Sequence, residues 1–248
     1  MLQGSRDRRR GDGALVIVGF LMMLAVLPAY SQSEEPVASK GIETLTIEDR
    51  YLSTETTTSA ATLDAQLRTT DEELKMLALE NMETQFQAGV LPRDSETAFN
   101  ALAYVLEEGV VHVTKGDSMP LHYFPDVRRE AARIISMSTH DGVVPQLLIN
   151  VMHDPEATVR AQALYSLGNI GEDPDQQVSE AIAKRLLREH LGEPDYGVVY
   201  AALLATESIY SDPDNEPHGA VREMVMQVST GPYRRVIREK AMKILGTM

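Results

Sequence analysis

The feature that most constrains the fold is an internal repeat. Segments opening at Val127-Arg128, Val159-Arg160, Val198-Val199 and Ile237-Arg238 start 32, 39 and 39 residues apart. Four residues on from each start stand Ala131, Ala163, Ala202 and Ala241, and five on stand Ala132, Leu164, Leu203 and Met242. Eight on come Ile135, Leu167, Thr206 and Leu245, and eleven on, in three of the four, Ile170, Ile209 and Met248. Offsets of 0, 4, 8 and 11 fall along one face of a helix, and alanine at offset 4 lets a neighbouring helix approach closely. A repeat of this period is that of two-helix solenoid units, in which each unit buries its apolar face only against its neighbours.

Helices of a second kind are expected between these A helices. One B stripe holds Val143, Val144, Leu147, Leu148 and Val151, the next Val178, Ala181, Ile182 and Leu186, and a third Val221, Met224, Val225 and Val228. Upstream, Thr70 and Glu73 are spaced as a capping box before Leu74, Leu77, Ala78, Met82 and Phe86. Asp94-Ser95 then opens a helix with Ala98, Leu102, Val105 and Leu106. Asp154-Pro155, Asp173-Pro174 and, more loosely, Asn215-Glu216-Pro217 follow one start recipe, an N-cap acid and then proline at the first helical position. Gly171, Gly192 and Gly231 stand where helices should stop. No aromatic or β-branched run is long enough for a sheet, so the domain is expected to be all-α.

His153-Asp154-Pro155-Glu156-Ala157-Thr158-Val159-Arg160, continuing through Ala163, Leu164, Leu167, Gly168 and Ile170-Gly171, resembles a HEAT repeat. It is most similar to the short bacterial variety also found in phycobilisome lyases. Pro125-Asp126-Val127-Arg128 resembles the same unit, Val198 and Ile237 less closely, and residues 71–106 only as a helix pair. The resemblance implies an α-solenoid over residues 70–248, which serves scaffolds, adaptors and lyases alike, so the fold does not select an activity.

The N-terminus places that domain. Arg6, Arg8, Arg9 and Arg10 precede an apolar run from Ala14 to Leu27, then Pro28 and the small-residue exit Ala29-Tyr30-Ser31. These are the three parts of a secretory signal peptide over residues 1–31, with cleavage expected after Ser31. The run is shorter than the roughly 20 residues a membrane-spanning helix needs, although retention as an anchor stays open. No cysteine follows it, which excludes lipid attachment of the bacterial lipoprotein kind; either way the body is expected to be periplasmic or secreted. Residues 32–69, including Ser53-Thr54-Glu55-Thr56-Thr57-Thr58-Ser59, are polar enough to be read as a flexible tether. Within them Gly41 to Ile47 alternates like a single strand.

Composition excludes several functions. The chain has no cysteine, so it forms no disulfide and no thiolate metal site. Its net charge is −14, and residues 1–31 hold four arginines against two aspartates, so the remainder is more acidic still. That balance argues against nucleic-acid binding and against adsorption to an anionic membrane, leaving the N-terminal segment, if retained, as the membrane contact. The six histidines, His112, His122, His140, His153, His190 and His218, show no paired spacing for a metal. Asp212-Pro213-Asp214-Asn215-Glu216 lacks the glycine and the distal glutamate of a calcium loop. No nucleophile elbow, phosphate loop or dinucleotide fingerprint occurs, and nothing calls for a cofactor.

The expectation is therefore a non-catalytic scaffold or adaptor for protein partners. Alternatives are an inner-membrane-anchored component of an envelope assembly, and a lyase-like or chaperone-like enzyme on the same scaffold. Lys184, Arg185 and Arg188 offer basic contacts on a B helix expected to line the concave face. The long insertion Gly109 to Phe124 ends in His122, Tyr123 and Phe124, which either present an aromatic tip or fold back onto the helices. Arg234, Arg235 and Arg238, with Lys240 and Lys243, make the Ile237 helix basic, whereas Asp71, Glu72, Glu73, Glu80 and Glu83 are acidic. Head-to-tail self-association would pair those ends. The Ile237 helix is read as lacking a B helix of its own, its charged face serving as a cap.

Overall fold

The helices alternate between two layers. They are α1 (59–67), α2 (Glu72–Ala88), α3 (Glu96–Glu107), α4 (Pro125–Ile135), α5 (Val143–Val151), α6 (Ala157–Ile170), α7 (Gln177–Leu191), α8 (Tyr196–Ile209), α9 (Gly219–Thr230) and α10 (Arg235–Leu245). A computed structural model describes residues 59–248 apart from 109, 111–113, 116–119, 122, 174 and 214, with backbone alone at 114–115 and 120–121. All of these lie in one unit, Leu45–Met248. The signal peptide, residues 32–58 of the tether, the 41–47 alternation, His112 and His122 fall outside the described residues.

α4, α6, α8 and α10 pack successively in the A layer, with α2 against α4, while α5, α7 and α9 pack successively in the B layer. This is the stacking of an α-solenoid. Among the described residues the only strands are β1 (Thr114–Lys115) and β2 (Pro120–Leu121), a two-residue antiparallel ladder in the α3–α4 connection. Of the A helices, each B helix packs most on the one that follows it, α5 on α6, α7 on α8 and α9 on α10. The Ile237 helix, read as lacking a B helix after it, packs on α9, the B helix that precedes it.

The repeat positions explain the stacking. Val127, Val159, Val198 and Ile237 are buried at offset 0, and all four offset-4 alanines are fully buried. At Gly168 a Cβ would stand 2.8 Å from the Ala205 Cα, so the α6–α8 crossing requires glycine. Two serines tie neighbouring A helices by donating to backbone carbonyls, Ser166 to Ala132 at 2.7 Å and Ser208 to Gly168 at 2.6 Å. Arg128 on α4 donates through Nε to Asp154 at 2.7 Å, and Asp154 also accepts from the Glu156 N–H at 2.8 Å. Both side chains are buried, and breaking such a pair from one side costs on the order of 3–5 kcal/mol.

Several local expectations are corrected. The tether does not extend to residue 69, because residues 59–67 are helical and bury Ala60, Leu63 and Leu67 at i, i+3 and i+7. Lys75, fully buried, donates to the Leu67 carbonyl at 2.6 Å and to Glu108 at 2.5 Å, closing α1 onto α3. The N-cap of α2 is Asp71, which accepts from the Leu74 N–H, rather than Thr70. The stripe of α2 is rotated accordingly, with Leu79 and Lys75 inside and Leu77 51% exposed. The acid–proline recipe also fails in detail. Asp154 is spent on Arg128, and α6 begins at Ala157 behind Glu156. Asp173 does cap α7, but from further back, accepting the N–H groups of Val178 and Ser179 at 2.9 Å. Asn215 donates to the carbonyls of Gly171 and Ile209 instead of capping α9, whose N-cap is His218. Val143 is exposed on α5, and Met242 is exposed where Ala132, Leu164 and Leu203 are buried.

Candidate partner-binding surfaces

A groove of about 480 Å³ runs between α5 and α7. Ile149, Met152 and Ala181 form its apolar part, and Lys184, Arg185 and Arg188 line it from α7. Val178, Ile182 and Leu186 bury the opposite side of α7, which turns the basic residues toward the groove. The three cations differ in role. Lys184 pairs with Glu180 at 2.7 Å with both side chains more than half exposed, an (i, i+4) contact worth about 0.3–0.5 kcal/mol and easily exchanged for a ligand. Arg188 is exposed and has no ion pair among the described residues. Arg185 is committed to structure: it pairs with buried Glu189 and donates to the Met152 carbonyl at 3.3 Å. Glu189 in turn accepts the Asp195 N–H at 2.8 Å and so fixes the start of α8. Only Lys184 and Arg188 are therefore free to meet a partner.

The described end of the insertion folds back. Tyr123 donates its hydroxyl to Glu156 at 2.7 Å while the Arg128 guanidinium sits 4.7 Å over its ring. Burial, then the Glu156 contact, pushes its hydroxyl pKa up, so it stays a donor. Phe124 packs against the core with Lys75 Nζ 5.9 Å from its ring centre.

On α10 the basic residues also divide. Lys240 and Lys243 both reach Glu207 on α8, and the Lys240 contact holds that carboxyl below its usual range. Arg234 covers the Tyr196 ring at 4.8 Å. Arg235 makes an exposed pair with Glu239 at 2.6 Å, and Arg238 has no ion pair among the described residues.

Sequence reasoning marked the acidic residues of α2 but not the groove of about 820 Å³ that they line between α2 and α4. Glu72, Glu73, Glu80 and Glu83 line it with Asp126, Arg129 and Glu130, over Met76 and Leu77. The signal was Leu77, which the expected stripe had placed inside.

Ser138, His140 and Asp141 gather in a smaller depression of about 250 Å³. Ser138 Oγ lies 2.9 Å from the Arg93 carbonyl, to which it can donate, and 2.6 Å from His140 Nδ1. His140 is further held by stacking on Phe99 at 4.5 Å. No group of three or more metal-ligating side chains converges among the described residues. Nor is any helix there long and apolar enough to cross a membrane.

With this geometry in place, comparison with known proteins gives one result. A family model of HEAT repeats matches residues 121–207. The matched stretch contains α4 to α7 and most of α8, and with them the whole α5–α7 groove. It supports a HEAT-repeat family, whose repeats generally mediate protein–protein interaction. No curated protein matches the chain.

Proposed function

We propose that this chain is an exported, non-catalytic scaffold that binds an acidic segment of a protein partner in the α5–α7 groove. The observation that carries this reading is the placement of Lys184 and Arg188, exposed and free of firm partners, beside Ile149 and Met152 on a chain of net charge −14. A basic strip beside an apolar floor suits a peptide with carboxylates next to aliphatic side chains, since complementary charge sets register and encounter rate. The solenoid supplies the rigid surface. Export rests on the basic, apolar and small-residue pattern of residues 1–31; retention of that segment would make the same body a membrane-tethered member of an envelope assembly.

A crosslinking pull-down from the native extracytoplasmic fraction tests this, using the native chain and a Lys184→Glu, Arg188→Glu variant. Arg185 is left alone because its loss would disturb α8. The expected result is a partner retained by the native chain and lost by the variant. A partner retained equally by both would contradict the assignment.

A further inference from the structure

We infer that the α2–α4 groove receives α10 of a second copy of this chain, giving head-to-tail association. This goes beyond the scaffold reading and uses no residue of the α5–α7 groove.

The two surfaces match in chemistry and in scale. On α2, Glu73, Leu77 and Glu80 stand at i, i+4 and i+7 along the groove, with Leu77 51% exposed. Arg133 engages Glu83 and Glu130, and Arg129 engages Asp126 at 2.9 Å. Glu72, Glu73 and Glu80 have no ion pair among the described residues and leave the groove a net negative wall above an aliphatic floor. On α10, Arg235, Arg238 and Met242 stand at i, i+3 and i+7. Met242 is 54% exposed and Val236 is 65% exposed. Each surface is thus a two-turn helix face, about 10 Å long, with exposed apolar groups set among charges that are predominantly acidic in the groove, despite Arg129, and predominantly basic on α10, despite Glu239. The signs are opposite. Arg235 gives up only an exposed pair with Glu239 on docking, and Arg238 gives up none.

Within one chain α10 packs on α8 and α9 while α2 packs on α4, so the two surfaces meet only between copies. Because they are different patches, the contact is heterologous and builds a ring or a filament rather than a two-fold dimer.

Sedimentation velocity on the full chain tests the inference at low and high salt, with a Glu73→Lys, Glu80→Lys variant and an Arg235→Glu, Arg238→Glu variant. All four positions are exposed, and far-UV circular dichroism checks that the variants remain folded. The native chain should associate at low salt and dissociate as salt screens the contact. Each variant alone should weaken association at least about tenfold, and mixing the two should restore it, because each supplies the charge the other now lacks. A native chain monomeric at every concentration would overturn the inference. So would association that both variants retain, or a mixture that stays apart. Loss of the α5–α7 partner in the Lys184→Glu, Arg188→Glu variant bears only on the scaffold reading, since that variant keeps both surfaces used here.

Discussion

At the scale of single residues, the stacking depends on a few atoms. Gly168 is the clearest case, because a methyl there meets the Ala205 backbone rather than a flexible side-chain end. Overpacking of this kind costs about 1–3 kcal/mol, against a gain near 1 kcal/mol in helix propensity. Gly168→Ala should therefore lower the urea midpoint, through a net loss of up to about 2 kcal/mol. Gly219→Ala, at a position with open space around it, should not. Equal midpoints for the two variants would contradict the close crossing of α6 and α8. Gly168 belonged to the repeat pattern in the sequence, but its neighbour Ala205 lies a full repeat away and carries no local mark. Lys75 was illegible for a related reason. A lysine in an amphipathic helix reads as surface, and only the Leu67 carbonyl and Glu108, brought together by the fold, make its burial tolerable.

At the scale of helices, periodicity was legible and boundaries were not. The stripes of α3, α4, α6, α8 and α9 are buried as their spacing requires, since apolar burial depends on the period alone. The caps were misread because Asp154 and Asn215 have partners outside their own helices, which no local recipe contains, while Asp173 caps α7 from further back than the recipe places it. Helix α1 was hidden within a polar stretch because only Ala60, Leu63 and Leu67 of its face are buried. Ion pairs between helices also set a pH dependence. Arg133 on α4 holds Glu83 of α2 below the usual carboxylate range, and Lys240 on α10 does the same for Glu207 of α8. A carboxyl with a depressed folded pKa binds fewer protons folded than unfolded. Its stabilisation is full above the unfolded value, about 4.3 for glutamate, and drains as pH falls through the folded one. Melting temperature should therefore fall on acidification below about pH 4.3, and less steeply in Glu207→Gln. An acid limb of the same slope in that variant would show that the α8–α10 pair contributes nothing.

At the scale of the molecule, the repeat in four short segments was enough to give the two layers, and the HEAT-repeat match over residues 121–207 agrees with it. Grooves were less legible. The three cations of α7 were visible as a cluster, but only the structure separates Arg185, bound to Glu189, from Lys184 and Arg188, which face solvent. The α2–α4 groove was hidden because Leu77 of its floor had been placed in the core. Partner binding on the B-helix side, as proposed, can be tested with a photo-crosslinking side chain. It would be introduced at exposed Gln146 in the α5–α7 groove and, separately, at Tyr165 on α6. The expected result is a partner adduct from Gln146 that disappears when Lys184 and Arg188 are changed to glutamate, and none from Tyr165. An adduct from Tyr165 alone, or one from Gln146 that survives the charge reversal, would contradict it.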